Sequence, residues 1–174
     1  IHLKKMETKK NGKKNRKKKP KKVIETDEPE DKNDFDNDQE DGDNDEDMII
    51  GDASGNIHLF TNTAAIGTAA NFVLTTPNYL GINIGSNATP QLVDVDRDGQ
   101  LDLLIGERNG NINYYHNNGG FVFAFVSANF GGVNVRKVNS FAGFSVPYLF
   151  DNGNGYELLV GSLSGYLYHY NNID

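Results

Sequence analysis

The sequence predicts an all-β fold, and three observations support that prediction. From about Asp34 onward, short apolar runs of strand length alternate with turns rich in Gly and Asn. No segment carries the apolar spacing of an amphipathic helix. Finally, the apolar runs recur at a fixed interval along the chain, which indicates a repeat architecture.

The 174-residue chain changes sharply in charge near its start. Residues 1–22 hold 12 of the 17 Lys and Arg residues, and residues 23–47 hold 14 of the 24 Asp and Glu residues. Such blocks repel themselves and bury little apolar surface, so we expect residues 1–33 to form a disordered charged leader. Its basic part has the charge of a nucleic-acid arm, but no aromatic residue interleaves the lysines. We therefore favour a solvated linker and expect no nucleic-acid partner.

The composition also excludes several classes of protein. The chain has no cysteine, so it cannot form disulfides, bind zinc through thiolates or use a thiol nucleophile. It has no run of 18 apolar residues, so we expect no membrane span.

The predicted strands can be read in chain order. Seven apolar runs have strand length: Met48–Gly51, Ile57–Phe60, Phe72–Thr75, Leu101–Ile105, Ile112–Tyr115, Phe121–Val126 and Leu158–Val160. Two further runs, Pro90–Val95 and Pro147–Asp151, precede acidic or Gly/Asn-rich loops. The turns Ser54–Asn56 and Asn109–Asn111 have the composition of tight hairpins.

An internal repeat organises these strands. The segments Asp47–Asn62, Asp102–Asn117 and Glu157–Asn172 align without gaps at a spacing of 55 residues. A second block, Phe72–Ile84, recurs as Phe123–Val135 at a spacing of 51. A period near 50 with about four strands per unit is typical of a propeller blade, a small sheet that must stack on its neighbours to bury both faces.

We therefore predict a partial β-propeller of about three four-stranded blades over residues 34–76, 77–127 and 128–174. The first unit lacks an apolar strand before its acidic loop, and the last lacks a partner for the run Phe121–Val126. Because a propeller needs at least about four blades to close, we expect further blades in a parent chain or in another subunit.

The middle repeat contains a loop of regularly spaced oxygen donors. They are Asp94, Asp96, Asp98, the carbonyl of Gln100, and Asp102. Gly99 permits the sharp turn between the third and fourth donors. Hard oxygen ligands in a tight loop are typical of calcium, whereas magnesium demands stricter octahedral geometry and zinc prefers nitrogen or sulfur. Carboxylates at this density repel one another without a cation, so we predict a Ca²⁺ site.

The other two repeats carry altered versions of this loop. The first repeat offers the looser acidic set Asp41, Asp43, Asp45 and Asp47, which we predict as a second Ca²⁺ loop. In the third repeat, Asp151–Glu157 is two residues shorter and has lost the alternating carboxylates. We expect it to be a plain hairpin rather than a metal site.

The string Pro90–Gly106, followed by Gly110 and Asn117, resembles the FG-GAP/VCBS repeats, and the resemblance extends over roughly residues 34–172 in three copies. It implies an integrin-α-like β-propeller of a secreted or cell-surface protein, commonly bacterial. It also implies that the acidic loop joins neighbouring strands of a blade and binds calcium through Asp94, Asp96, Asp98, the Gln100 carbonyl and Asp102.

Two function classes follow from the sequence. His58, His116 and His169 lie in or beside predicted strands without the spacing of a metal pair, and no nucleophile elbow accompanies them. We therefore expect no enzyme activity, but a noncatalytic, calcium-binding adhesion module for a protein or carbohydrate ligand, located outside the cell. The alternative is a fragment of a propeller-type polysaccharide-degrading enzyme whose catalytic residues lie elsewhere. Four tyrosines either stack on sugars or pack between blades: Tyr114, Tyr115, Tyr168 and Tyr170.

Overall fold

The repeated segments fold into three antiparallel β-sheets. A computed structural model describes residues 46–171 and residue 173, all within the unit Lys32–Asp174. The ten strands are β1 (Met48–Gly51), β2 (Ile57–Asn62), β3 (Phe72–Thr76), β4 (Thr89–Val93), β5 (Asp102–Gly106), β6 (Ile112–Asn117), β7 (Phe123–Ser127), β8 (Val146–Asp151), β9 (Tyr156–Gly161) and β10 (Leu167–Asn171). The first sheet has the order β1-β2-β3, the middle sheet β4-β5-β6-β7 and the third sheet β10-β9-β8.

The sequence repeat is also a repeat of backbone hydrogen bonds. In the hairpin between β1 and β2, Gly55 has a φ of 85°, and in the hairpin between β5 and β6, Gly110 has a φ of 91°. This left-handed conformation favours glycine. The carbonyl of Gly55 accepts from the Ile84 amide, and that of Gly110 from the Val135 amide, each at 3.0 Å. Each hairpin is thus tied to the segment that enters the next repeat.

Strand β5 of the middle sheet is buried on both faces. Toward the first sheet, Leu103 and Ile105 pack in a cluster with Ile57. Toward the third sheet, Leu104 packs in a second cluster that contains Leu158. All five side chains are fully buried, and each contributes about 1.5–3 kcal/mol through removal of apolar surface from water. This two-sided burial is what a stacked repeat predicts for an internal unit.

Glycines set the close approach of successive sheets. A Cβ on Gly51 would lie 2.0 Å from the Ala88 carbonyl oxygen, which precedes β4. A Cβ on Gly106 would lie 2.2 Å from the Ser145 carbonyl oxygen, which precedes β8. Neither glycine has a positive φ, so steric contact between sheets, rather than backbone conformation, requires glycine here.

The all-β prediction and the partial β-propeller are confirmed. The described residues contain ten strands and no α-helix, and none of their helical turns is long or apolar enough to cross a membrane. The described sheets have three, four and three strands. Among the described residues, no strand of the third sheet takes the place that β7 has in the middle sheet. The predicted leader 1–33 and the segment before Glu46 lie outside the described residues.

Candidate metal centre

The loop between β4 and β5 gathers three carboxylates. Oxygens of Asp94, Asp96 and Asp98 lie within 4.8 Å of one another. Arg97, with a φ of 64°, and Gly99, with a φ of 89°, have left-handed backbones between and after these carboxylates. The loop therefore curls upon itself, and alternate side chains converge.

The amides of the loop point at the same carboxylates. The Asp98 amide donates to Asp94 Oδ1 at 3.1 Å and to Asp96 Oδ1 at 3.2 Å. The Gly99 amide donates to Asp94 Oδ2 at 2.9 Å, and the Gln100 amide donates to Asp98 Oδ1 at 2.8 Å. The backbone amides of the loop thus hold its carboxylates close together, and the loop is preorganised.

The carboxylate spacing fits calcium. Calcium–oxygen distances are about 2.3–2.6 Å, so two oxygens that bind one ion lie at most about 5 Å apart. The 4.8 Å limit among Asp94, Asp96 and Asp98 falls within that range. The loop is exposed from Asp96 to Gln100, which leaves access for an ion and for water ligands. The ligand roles of Asp94, Asp96, Asp98, Gln100 and Asp102 stay predictions.

Asp102 is fully buried and has donors on both oxygens. Oδ1 accepts from the Asn117 amide at 2.7 Å and lies 3.1 Å from His116 Nδ1. Oδ2 accepts from the Val95 amide and from the Tyr114 hydroxyl, both at 3.1 Å. Burial raises the pKa of Asp102, and the hydrogen bonds from Asn117, Val95 and Tyr114 oppose that rise. The carboxylate thus joins the acidic loop to β6.

A second group of potential ligands adjoins the loop. Asp96, Asp102 and His116 each offer an atom within 4.8 Å of the others, and His116 Nδ1 lies 3.4 Å from Asp96 Oδ2. Sequence reasoning missed His116 as a neighbour of the loop. The signal was available in the hairpin register, because His116 directly precedes Asn117, whose amide bonds to Asp102.

The third-repeat loop is built differently. Its hairpin closes through a hydrogen bond from the Asn152 amide to the Gly155 carbonyl at 3.2 Å. Asp151 pairs with Arg97 at 3.5 Å between the guanidinium and a carboxylate oxygen. Glu157 contacts His169 Nε2 at 2.7 Å.

Arg97 and Tyr156 join the middle loop to the third sheet. The Arg97 guanidinium lies 4.3 Å from the centre of the Tyr156 ring. The Tyr156 hydroxyl donates a hydrogen bond to the Asp94 carbonyl oxygen. The candidate metal loop is therefore attached to both sheets that border it.

Only one ligand predicted for the first repeat falls in the described part of the chain. Asp47 is buried, and its Oδ1 accepts from the Asn62 amide at 2.8 Å. This bond is the counterpart of the bond between Asp102 and Asn117 one repeat later. Asp41, Asp43 and Asp45 lie outside the described residues.

The tyrosines and the remaining histidine have structural contacts. Tyr114, Tyr168 and Tyr170 pack against the core between the middle and third sheets, and Tyr115 packs against the other core. His58 lies 3.1 Å from a carboxylate oxygen of Asp52, and its Nδ1 accepts from the Asn78 amide at 3.2 Å. In this position His58 joins the β1–β2 hairpin to the segment that follows β3.

Comparison with known proteins finds a family match for part of the chain. Residues 41–105 match the model of the FG-GAP-like repeat, and this range begins in the first acidic sequence and ends in β5. No curated protein and no solved structure is significantly similar to the chain. The matched range contains the whole β1–β2–β3 sheet and the loop that gathers Asp94, Asp96 and Asp98. Residues 41–105 therefore carry an FG-GAP-like repeat.

Proposed function

We propose that the chain is a noncatalytic, calcium-binding β-propeller module of a secreted or cell-surface protein, and that it binds a protein or carbohydrate ligand. The observation that carries the proposal is the convergence of three carboxylates, from Asp94, Asp96 and Asp98, within 4.8 Å in one strand-connecting loop. Together with its place in the repeat, that convergence favours a structural cation.

Calcium is favoured over other metals by the donors and by the loop. The three loop donors are carboxylate oxygens, which hard cations prefer. The loop is nine residues long from Asp94 to Asp102, and its middle part, Asp96 to Gln100, is exposed, so it can accommodate the flexible, high coordination number of calcium. Sites of this kind in extracellular modules bind calcium at 10⁻⁴ to 10⁻³ M, about its extracellular concentration, which supports a location outside the cell.

A noncatalytic role is supported by the contacts of the ionisable residues. Asp102 holds β6 to the loop, His58 holds a hairpin to the following segment, and Glu157 contacts His169 across β9 and β10. Each of these groups has a structural partner. We propose that the assembled sheets bind a protein or a carbohydrate, because the repeats resemble those of adhesion propellers.

Calcium titration of the full chain tests this proposal. Isothermal titration calorimetry and thermal melting, in EDTA and in millimolar calcium, should show binding and an upward shift of the melting temperature, because an ion that binds only the folded state stabilises it. Asp96→Ala should remove one bound calcium per chain and reduce the shift. Magnesium at the same concentration should give a smaller shift.

The matched control is Asp52→Asn, which removes a carboxylate from a hairpin that lies outside the acidic loop. This variant should keep the calcium stoichiometry of the unaltered chain. If Asp96→Ala retains the full stoichiometry, or if calcium does not change the melting temperature of the unaltered chain, the calcium proposal is wrong.

A further inference from the structure

The outer face of the third sheet carries a group of apolar side chains, several of them exposed, beside the pair formed by Glu157 and His169. In each strand of this sheet, alternate side chains point away from the middle sheet. Five of them are apolar, namely Val146, Tyr148, Phe150, Leu159 and Leu167. Leu167 is 68% exposed and Val146 is 52% exposed. The registers place Val146 and Leu167 on either side of Gly161, so these residues form one continuous surface.

The middle sheet buries the equivalent surface. At the 55-residue spacing, Leu159 corresponds to Leu104 and Leu167 corresponds to Ile112. Leu104 and Ile112 are both 0% exposed, because the third sheet packs on them. The exposed face of the third sheet is therefore one half of an interface that the chain already contains between its other sheets.

Gly161 strengthens this equivalence. It corresponds to Gly51 and Gly106, where a Cβ would lie 2.0 and 2.2 Å from a carbonyl oxygen of the next sheet. At Gly161 the nearest atom to such a Cβ is Val146 Cβ, at 3.6 Å, an ordinary van der Waals distance. Gly161 also lacks a positive φ. Neither space nor backbone conformation within the described chain requires glycine there.

The outer face of the first sheet is the other half of the same interface. Ile49, Ile57 and Leu59 face the middle sheet, so the side chains between them face outward. The outward apolar residues are Met48, Ile50, Phe60, Phe72 and Leu74. At the same spacing, Met48 and Ile50 correspond to Leu103 and Ile105, which are fully buried against the first sheet.

We propose that the first sheet of a second copy of this chain docks on the outer face of the third sheet. The contact joins two different surfaces, so it is heterologous and builds either a closed ring or an open array. It repeats the geometry between the sheets of one chain, with Gly161 in the role of Gly106. This inference goes beyond the proposed function, because no carboxylate of the acidic loop takes part.

Gly161→Ala separates assembly from folding. Because its Cβ has room within one chain, the variant should melt at the temperature of the unaltered chain at low concentration. In the docked pair the same Cβ would overlap an atom of the second copy, as at Gly51 and Gly106. Such overpacking should weaken self-association about 10- to 100-fold, as measured by sedimentation equilibrium of the full chain over a concentration series in EDTA.

Two matched variants complete the experiment. Gly106→Ala has the same substitution at the equivalent position, but its Cβ would overlap Ser145 within the chain, so it should lower the melting temperature. Ile50→Asp places a charge on the outer face of the first sheet and should prevent that face from docking on a second copy. At a concentration just sufficient to assemble the unaltered chain, Ile50→Asp alone and Gly161→Ala alone should each remain largely monomeric, whereas a mixture of the two should form a dimer through the one intact pair of faces.

The outcomes distinguish this proposal from other sources of association. Self-association that persists in about 1 M NaCl, where the Debye length is about 3 Å, and that Gly161→Ala weakens would support the docked pair. A chain that remains monomeric at high concentration would overturn it, as would association that Gly161→Ala leaves unchanged. Association that disappears in high salt would assign the contact to the charged segment 1–47 and would also overturn it. Because EDTA is present throughout, none of these results depends on calcium.

Discussion

The β4–β5 loop and the β8–β9 loop occupy the same place in two successive repeats, yet they use their carboxylates in opposite ways. In the first of these loops, Asp94, Asp96 and Asp98 converge on one another and accept hydrogen bonds from the loop's own amides. In the second, Asp151 pairs with Arg97 and Glu157 pairs with His169. Equivalent positions of the fold thus carry a candidate cation site in one repeat and, in the next, an ion pair and a contact between a carboxylate and an imidazole.

Loop length explains much of this difference. Nine residues from Asp94 to Asp102 form a curled loop in which alternate side chains can converge, whereas seven residues from Asp151 to Glu157 close directly as a hairpin. The alternate positions within the shorter loop are Gly153 and Gly155, which offer no carboxylate. Its terminal carboxylates contact the Arg97 guanidinium and the His169 imidazole on neighbouring elements and do not converge on each other.

The largest expected effect comes from the last carboxylate of each loop. Asp102→Ala should lower the free energy of unfolding by roughly 3 kcal/mol, because it leaves the buried amides of Val95 and Asn117 and the Tyr114 hydroxyl without their acceptor. Glu157→Ala removes the equivalent carboxylate from a partly exposed pair with His169, so it should cost less than about 1 kcal/mol. Urea denaturation in EDTA measures both values.

EDTA matters in this experiment because it separates the structural role of Asp102 from any role as a ligand. If the two substitutions cost the same free energy in EDTA, then Asp102 is not the structural tie that its burial and four partners indicate. Asp102→Asn provides a further control, since it keeps the side-chain volume and one acceptor oxygen and should cost less than Asp102→Ala.

A smaller effect is expected at the contact between the two loops. Arg97→Ala removes the ion pair with Asp151 and the stacking on Tyr156, and should cost about 1 kcal/mol, since the guanidinium is half-exposed. Arg97→Lys should recover part of that loss, because it keeps the charge but lacks the planar group.

A double-mutant cycle isolates the ion pair from the stacking. Arg97→Ala combined with Asp151→Ala should show a coupling of less than about 1 kcal/mol, and Arg97→Ala combined with Tyr156→Phe should show little coupling, because the ring remains. If Arg97→Ala does not change stability in any background, the contact between the loops is only incidental to the fold.

Much of the fold could be predicted from the sequence, because the residues that recur in the repeat each have one steric or hydrogen-bonding role. Gly55 and Gly110 have the left-handed backbone that a tight hairpin needs, and Leu103 and Ile105 mark a buried strand. The spacing of Asp94, Asp96 and Asp98 likewise predicted their convergence, because alternation places them on one side of a tight loop. Local patterns of this kind require no knowledge of distant contacts.

The rest depends on contacts between segments far apart in the chain. The spacing did not indicate that Asp102 would be enclosed by Val95, Tyr114, His116 and Asn117, because that arrangement follows from the register of β5 with β6. The steric role of Gly51 and Gly106 likewise became visible only when the next sheet was placed against them. The sequence aligns these glycines across the repeats. It does not show whether glycine is required at such a position by a left-handed turn or by close contact with the next sheet.

The smallest expected effect concerns Asp52, a carboxylate at the surface of the β1–β2 hairpin. Donation from the Asn56 side chain and amide, and then from His58, lowers its pKa from the ordinary value of 3.8 to about 2, whereas burial raises the pKa of Asp102. Because the folded pKa of Asp52 lies below the unfolded one, its contribution to stability is complete above about pH 4 and is lost as the pH falls toward 2.

Asp52→Asn should therefore flatten the pH dependence of the melting temperature between about pH 4 and pH 2, by lowering the melting temperature slightly above pH 4, where the contribution of the carboxylate is complete, and leaving it nearly unchanged at pH 2. Asn56→Ala, which removes the strongest donor but keeps the carboxylate, should move the titration midpoint of Asp52 back toward 3.8, as followed by carboxyl ¹³C NMR. A midpoint near 3.8 in the unaltered chain would show that these donors do not hold the carboxylate in solution. The difference between the pKa values of Asp52 and Asp102 would then come from the burial of Asp102 alone, and the hydrogen-bond donors of the hairpin would not contribute to it.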